Sequence, residues 1–546
     1  MASLLLLLHL ALARASPYDF GLWESAVRVE QLLAEDQAIT TLLSSSLHPS
    51  TNLTQHTERR PAGSRSPLRP VSAYRAILRA AGHSRRPLGG PLATLATSTQ
   101  VWGKVGAQEL AGAVRGLVMV LHTYPVPHSI LARGRVAWGE EEEEEEEERL
   151  DLRDLMLLAG SAEESGYLNT AADLLRAALA MPGAARSGEL GRRVDHLVTR
   201  HNALLRKGQS FLTPREVLHP FLLDPGLGRS SRQPNFVRSG RAGQTHLQAR
   251  SSLFTQMEQV VEGCQAAGRT TAALSCRHLH HGDPFHRLAP FQVEVASQLP
   301  GPHIVVVHGV LEEEDIAHWM DWASPRLSEA RQPGAKPRPT RAGGQQRLVY
   351  KAVQVWRETK VWEGERGNDA NLGLGYTGSG AYTPDNFTVL DPRAERLSRR
   401  LERALALNIT GQWSSHTYQV TNYGLSGLCE SHIDAQGTLE GEVGHKHRHT
   451  GDYLGTTMGW LEEPEVGGAT TFFGSGSVRP TRGSVAFWFS LVSSGARDPA
   501  TAHAGCPVGQ GTKWIFNKWI YSFNNWARQP CGRRTHRLAW QDASYF

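Results

Sequence analysis

His432-Ile433-Asp434 and, 71 residues further on, His503 stand in a stretch that otherwise reads as short β-strands. Two histidines and one carboxylate are the donor set that holds non-haem Fe(II) on one face and leaves the opposite coordination positions open. Residues i and i+2 of a strand point to the same side, so His432 and Asp434 can converge on one ion while Ile433 turns away. His503 must come from another strand. Ten residues after it stands Lys513, in Gly511-Thr512-Lys513-Trp514. A buried ammonium there is a partner for the carboxylate of an acidic cosubstrate. In a chain with 24 histidines a His-x-Asp pair alone carries little; a distal histidine followed at that interval by lysine carries more.

Short strands have to position these side chains. They read at 416–422, 453–461, 469–473, 483–489 and 513–521, separated by Gly and Pro turns, the pattern of an antiparallel jelly roll. The apolar run 303–308 suits a central strand, while 312–324 and 392–408 carry helical patterns. Residues 333–346 and 364–385 read as long loops, the second a Gly-rich candidate lid holding Tyr376 and Tyr382. His445, His447 and His449 read as a solvated basic loop rather than a second metal site. Tyr423 reads equally well as a lining residue of the substrate or cosubstrate pocket and as a packing tyrosine at a strand end.

Asn422-Tyr423-Gly424, Gly467-Gly468-Ala469-Thr470 and His503-Ala504-Gly505-Cys506-Pro507 follow one another in this order. With the triad and Lys513 they resemble the α subunit of collagen prolyl 4-hydroxylase, closely from about Thr417 to Cys531. The likeness is weaker over Cys264–Leu311 and fainter still in the helical N-terminal half. The resemblance implies an α+β chain. A helical N-terminal half, with a dimerisation region and a tetratricopeptide-like peptide-binding region, precedes a C-terminal double-stranded β-helix. It implies Fe2+ on His432, Asp434 and His503, and 2-oxoglutarate chelating that metal with its far carboxylate on Lys513, aided by Thr470. O2 and L-ascorbate complete the implied cofactors. The implied reaction decarboxylates 2-oxoglutarate to succinate while hydroxylating proline in collagen-like or other proline-rich chains. The alternatives are a 2-oxoglutarate oxygenase with a different peptide target and a catalytically impaired, partner-binding subunit.

One departure bears on the chemistry. After Asn517-Lys518-Trp519-Ile520 the resembling family carries a histidine that orients the cosubstrate, and this chain has Tyr521. A phenol hydroxyl donates a hydrogen bond but does not become cationic at neutral pH. The resemblance also implies disulfides Cys264–Cys276 and Cys506–Cys531, leaving Cys429, three residues before His432, as the odd one of five cysteines. Cys429 reads as a packed small residue.

The apolar run Leu4–Leu12 before Ala13-Arg14-Ala15 reads as a secretory signal peptide, too short to span a bilayer. No later stretch reads as a membrane span. Sequons at Asn52, Asn386 and Asn408, together with the cysteine usage, agree with an oxidising lumen. The last residues carry no retention tetrapeptide. The resemblance therefore implies residence in the endoplasmic reticulum lumen through protein disulfide isomerase as the β subunit of an α2β2 assembly. The net charge of +5 is unevenly spread, nine of the 53 acidic residues forming Glu140 to Glu148. Such a block reads as a solvated linker. The basic residues are scattered without interleaved aromatics, which excludes a nucleic-acid-binding reading.

The organisation read from these features is a signal peptide at 1–16, a helical dimerisation-like domain at 17–138 and the acidic linker at 139–149. A tetratricopeptide-like peptide-binding region at 150–210, a linker at 211–250 and the dioxygenase domain at 251–546 follow. Leu22, Ala26, Val29 and Leu33 form a helical seam that Asp36 and Thr40 interrupt. Helix patterns at 150–158 and 168–181 around Gly166-Tyr167 look like a tetratricopeptide hairpin. Tyr167, the only tyrosine of that region, is the candidate contact for a proline-rich substrate.

Overall fold

The computed structural model describes residues 26–47, 68–83, 99, 101–138, 148–181, 188–206, 261, 263–267, 275–280, 284–297, 301–324, 328–331, 338–339, 345–346, 349–356, 392–411, 413–416, 418–437, 449–472, 475–530, 532 and 536–538. The signal peptide, most of the acidic block, the linker at 211–250, the loop at 364–385, Asn52, Asn386 and Cys531 lie outside the described residues.

Apolar residues at helical spacing build the N-terminal part. Helix α1 (Ala26–Leu47) buries Ala26, Val29, Leu32, Asp36 and Ile39 along one stripe. Asp36 and Thr40 break the apolar pattern of the seam but not the helix, which runs through both. Asp36 is buried because Arg79 of α2 (Pro70–His83) pairs with it and Trp102 Nε1 donates to it at 2.9 Å. A buried charge persists only where partners compensate its desolvation. Thr40 turns its hydroxyl onto the Asp36 carbonyl at 2.8 Å. Helix α3 (Ala107–Thr123) is buried from Leu110 to Thr123, as expected of a helix apolar on every side at the centre of a bundle.

Helix α4 (Leu152–Glu164) begins in a capping box. Asp151 accepts from the backbone of Arg153 at 2.8 Å and Asp154 at 2.9 Å, and Asp154 accepts from the Asp151 N–H at 2.7 Å. Losing such a cap costs about 1 kcal/mol. Gly166, at φ 84°, turns the chain into α5 (Leu168–Ala180), on which α6 (Gly188–Arg206) packs. Side chains from α1 to α6 share one core that also takes in Leu425. Residues 139–149 therefore do not separate two cores.

The C-terminal part is built on a nine-stranded sheet. Its strands are β1 (Ser275–Leu279), β2 (Phe291–Ser297), β3 (Ile304–His308), β4 (Ser328–Arg331), β5 (Val349–Trp356), β6 (Gln419–Tyr423), β8 (Tyr453–Glu462), β12 (Val485–Phe489) and β15 (Lys513–Tyr521). They lie in the order β1-β2-β3-β12-β8-β15-β6-β5-β4, each neighbouring pair antiparallel. A four-stranded sheet pairs β11 (Gly476–Val478), β10 (Thr470–Phe472), β13 (His503–Gly505) and β7 (Cys429–His432) in that order, and β9 (Val466–Gly467) pairs β14 (Val508–Gln510).

The period-2 alternation of strands sorts the side chains. Val305, Val307, Phe487 and Phe516 pack with Trp319 and Met320 of α7 (Glu313–Ala323) and Leu401 of α8 (Pro392–Leu405). Ile304, Val306, Ala486, Trp488 and Ile515 point the other way, into the interior shared with Phe472 of the small sheet. This is an α+β chain with a jelly-roll-like β region.

The disulfide pairing differs from the one implied by resemblance. Cys264 bonds Cys506, not Cys276, so Cys506 does not pair with Cys531. The reason is how the short helical segment 263–267 is seated. Gly263 lies so close to β10 that an added Cβ would meet Thr471 Oγ1 at 1.9 Å. Ser477 Oγ donates to the Gly263 carbonyl at 2.8 Å, and Gln265 Nε2 to the Thr123 carbonyl at the end of α3 at 3.1 Å. Cys264 thereby reaches the turn after β13, with the two Cα atoms 5.6 Å apart. Cys276 is left as an exposed thiol on the edge strand β1, and Cys429 as a buried one.

Candidate active site

Strands β7 and β13 pair so that His503 stands opposite His432, with ring centroids 4.3 Å apart. Asp434 lies two residues beyond His432. His432 Nε2 is 3.3 Å from Asp434 Oδ1, and His503 Nε2 is 3.9 Å from Asp434 Oδ2. The three donor atoms all fall within 4.8 Å of one another. Each ligand is also held from behind. His503 Nδ1 lies 2.9 Å from the Thr501 carbonyl, which can only accept, so Nδ1 carries the proton and the Nε2 lone pair faces Asp434. Thr456 Oγ1, on β8, donates to Asp434 Oδ2 at 2.7 Å. Cys429 Sγ sits 3.8 Å from His432 Nδ1. Phe472 and Trp488 pack on the His503 ring at 5.3 and 5.0 Å.

The cluster's electrostatics follow from burial and mutual contact. Burial alone would raise the Asp434 carboxyl, but the adjacent His503 and His432 hold it well below the usual carboxylate range. Burial works against a charged His432, yet Cys429 and Asp434 keep that imidazole protonated above its ordinary range. His503 is pushed down to about 4, first by burial and then by the charge on His432. The resting proton therefore belongs to His432. A divalent cation held by the three donors would take the place of this proton, since imidazole ligates only when neutral. The donor set fits Fe(II).

A second corner of the same interior holds Lys513. It opens β15 opposite Tyr423 and is only 2% exposed. Burial pushes its ammonium pKa down to about 8. The face of Tyr423 lies 5.4 Å from Nζ, and among the described residues no acidic side chain forms an ion pair with it. Gly467 and Gly468, at φ 82° and 68°, make room for this arrangement. A Cβ on Gly467 would meet the Pro507 carbonyl at 2.3 Å, and one on Gly468 would touch the Lys513 stem at 3.4 Å. Only glycine combines that backbone with that approach. Thr470 lines the interior two residues on, its hydroxyl 3.7 Å from Met458 Sδ.

The turn before Lys513 is braced by the helical region. Gly511 N–H donates to the Leu68 carbonyl at 2.9 Å. Thr512 Oγ1 accepts from Asn422 Nδ2 at 3.0 Å, and Asn422 Oδ1 accepts from the Ala26 N–H at 3.2 Å.

The profile of the 2OG-Fe(II) oxygenase superfamily matches residues 418–521, the span that carries the triad, Thr456, Thr470 and Lys513. This span is similar to 2OG-Fe(II) oxygenase domains. The chain is similar to prolyl 4-hydroxylase subunit alpha-2 of Gallus gallus (29% identity over 281 residues, 50% of this chain and 44% of that protein). It is similar to subunit alpha-2 of Caenorhabditis elegans (30% over 257 residues, 47% and 40%) and to subunit alpha-1 of Homo sapiens (29% over 274 residues, 50% and 44%). The match thus spans less than half the length of these relatives. Among solved structures, the collagen prolyl hydroxylase of Paramecium Bursaria Chlorella virus-1, in its 2OG complex, aligns at 17% identity. That alignment covers 40% of this chain and 95% of the viral one, with a TM-score of 0.27.

Other residues singled out in the sequence lie elsewhere. Tyr521 ends β15, eight residues from Lys513 and roughly 26 Å away at the usual strand rise, so the oxygenase domain does not bring the two together. It stacks on Tyr453 at 5.7 Å, and Tyr453 is close enough to Asp434 to feel its charge. Burial pushes the Tyr521 phenol up, so it stays neutral.

Tyr167 is corrected from surface contact to core residue. It is 2% exposed, with its ring 4.1 Å from that of His122, because the α4–α5 turn folds onto α3. Of the sequons, Asn408 is half-buried. Its Nδ2 donates to the Asn524 carbonyl at 2.6 Å and its Oδ1 accepts from Arg528 Nε at 2.9 Å. The sequence reading missed Thr456 and the Thr501 carbonyl. Thr456 stands 22 residues from Asp434, and nothing in its local sequence marks it.

Proposed function

We propose that the protein is a 2-oxoglutarate- and Fe(II)-dependent prolyl 4-hydroxylase that acts on proline-rich chains. One observation carries this reading: a His-Asp-His cluster shares an interior with a buried lysine that has no acidic partner among the described residues. His432, Asp434 and His503 would hold the metal. Lys513 would take the far carboxylate of 2-oxoglutarate, with Tyr423 and Thr470 shaping the pocket around it. Phe472 and Trp488, packed on the His503 ring, would help to exclude water there. Bound Fe(II) and 2-oxoglutarate supply the oxidation, in which O2 is consumed, succinate and CO2 form and a C–H bond becomes C–OH.

The names of the relatives support proline as the target residue. Collagen-like peptides are the first substrate to test, with L-ascorbate as reductant. Within the same proposal the protein resides in the endoplasmic reticulum lumen and assembles with protein disulfide isomerase as α2β2. Among the described residues no helix is long and apolar enough to cross a membrane. A different peptide preference is the second reading, favoured by the burial of Tyr167, which removes the one candidate aromatic contact of the peptide-binding region. Mass spectrometry of proline-proline-glycine repeats and other proline-rich peptides, incubated with protein, Fe(II), 2-oxoglutarate and ascorbate, tests both. Proline one oxygen heavier, with succinate in equal amount, supports the proposal. Succinate coupled to another residue or another peptide supports the second reading, and no turnover with any peptide contradicts both.

A further inference from the structure

Thr456 occupies an unusual place. It is 1% exposed and sits on β8, paired to Trp519 of β15 on one side and Trp488 of β12 on the other. Its hydroxyl crosses the interior from the large sheet to the segment after the small sheet and donates to Asp434 Oδ2 at 2.7 Å. Behind it, Ser490 Oγ lies 3.4 Å from Thr456 Oγ1 and is fully buried. Because Thr456 spends its one proton on the carboxylate, Ser490 is the donor in that second contact. Ser490 is itself fixed, its N–H on the Leu454 carbonyl at 2.8 Å and its carbonyl accepting from the Asp498 N–H at 2.9 Å.

We propose that Thr456, backed by Ser490, is the positioning residue that selects which oxygen of Asp434 the metal receives. The relay takes one lone pair of Oδ2, which also lies 3.9 Å from His503 Nε2, and leaves both lone pairs of Oδ1, the oxygen that faces His432 Nε2 at 3.3 Å. A β-branched side chain on an internal strand has little χ1 freedom, so the hydroxyl that holds the carboxylate is itself fixed. Asp434 itself lies two residues past the end of a four-residue strand, its carbonyl accepting from Gln436 Nε2 at 2.7 Å. Groups that orient a ligand from behind commonly set metal affinity by factors of 10–100. This inference rests on the metal-centre reading.

Calorimetric titration of metal-free full-length protein with Mn2+ tests it without turnover. Thr456→Val, which keeps the shape and removes the proton, should raise the Kd by about 10- to 100-fold. Thr456→Ser should restore it to near the wild-type value, and Ser490→Ala should give a smaller loss in the same direction. A folded Thr456→Val protein that binds Mn2+ as tightly as wild type overturns the relay. If Thr456→Val does not fold, the Ser pair decides: unchanged affinity in Ser490→Ala and a Thr456→Ser affinity no better than that of Asp434→Ala both count against it. Wild-type protein that binds no Mn2+ at all overturns the metal-centre reading instead.

Discussion

The two corners of the oxygenase interior are built in opposite ways. At the metal corner every ligand already has a partner behind it: the Thr501 carbonyl for His503, Thr456 for Asp434 and Cys429 for His432. His503 and His432 come from strands of three and four residues, Asp434 stands two residues past the second, and all three are steadied from outside these strands. At the lysine corner the charge stands at the head of a nine-residue strand, and its backbone is braced by Asn422, Thr512 and Leu68. Its head group has no acidic partner among the described residues. The first corner gathers donors around a cation and the second keeps a cation for an anion. A cosubstrate with an oxygen-rich chelating end and a distant carboxylate satisfies both, which is the shape of 2-oxoglutarate.

Separating the corners by mutation is the strongest way to break this comparison. His432→Ala, Asp434→Ala and His503→Ala should each abolish succinate release and metal retention while leaving the thermal transition in place, because each removes a donor from the metal. Turnover near wild type in all three, with metal content measured alongside, contradicts the metal corner. Lys513→Ala should instead leave Mn2+ affinity unchanged and weaken 2-oxoglutarate binding by roughly 2–5 kcal/mol, the usual consequence of removing one member of a buried charge pair. Lys513→Arg should rescue poorly, since the guanidinium fork is larger and differently shaped. Loss of metal affinity in Lys513→Ala would merge the two corners into one.

Covalent support is the next contrast. The Cys264–Cys506 bond anchors the turn after β13, three residues past His503, to the segment that follows the helical region. Cys264→Ser and Cys506→Ser should destabilise equally, by about 2–4 kcal/mol, and Cys276→Ser should change little. Non-reducing peptide mapping together with denaturant unfolding checks both statements. Unequal losses, or a Cys506 peptide bonded to another cysteine, count against the pairing.

The smallest effect expected is one of pH. Burial sets the free-protein Lys513 pKa at about 8, so the cation is present below that value and lost above it. Apparent affinity for 2-oxoglutarate should therefore fall as pH rises through about 8, and Lys513→Ala should flatten that limb. A wild-type profile with no decline there removes the lysine from the cosubstrate site.

What could be read in the sequence was what is local. The His-x-Asp spacing brought His432 and Asp434 to one cluster, and the short interval from His503 to Lys513 kept the two corners in the same β region. Helix patterns such as 150–158 and 168–181 survive as α4 and α5. What could not be read depends on contacts across the chain. Thr456 reaches Asp434 over 22 residues and Cys264 reaches Cys506 over 242. Asp36 looks like an interruption until Arg79 and Trp102 are brought to it. Tyr167 looks like a surface aromatic until α3 covers it. Periodicity reports which face of an element is buried but not what it is buried against.

The most direct test of the two-corner account is calorimetric titration of 2-oxoglutarate into three samples: metal-free protein, Mn2+-loaded protein and Mn2+-loaded Lys513→Ala. The account predicts tight binding only in the second, because both ends of the cosubstrate must be held. Equal affinity in metal-free and metal-loaded wild type, or in wild type and Lys513→Ala, contradicts it.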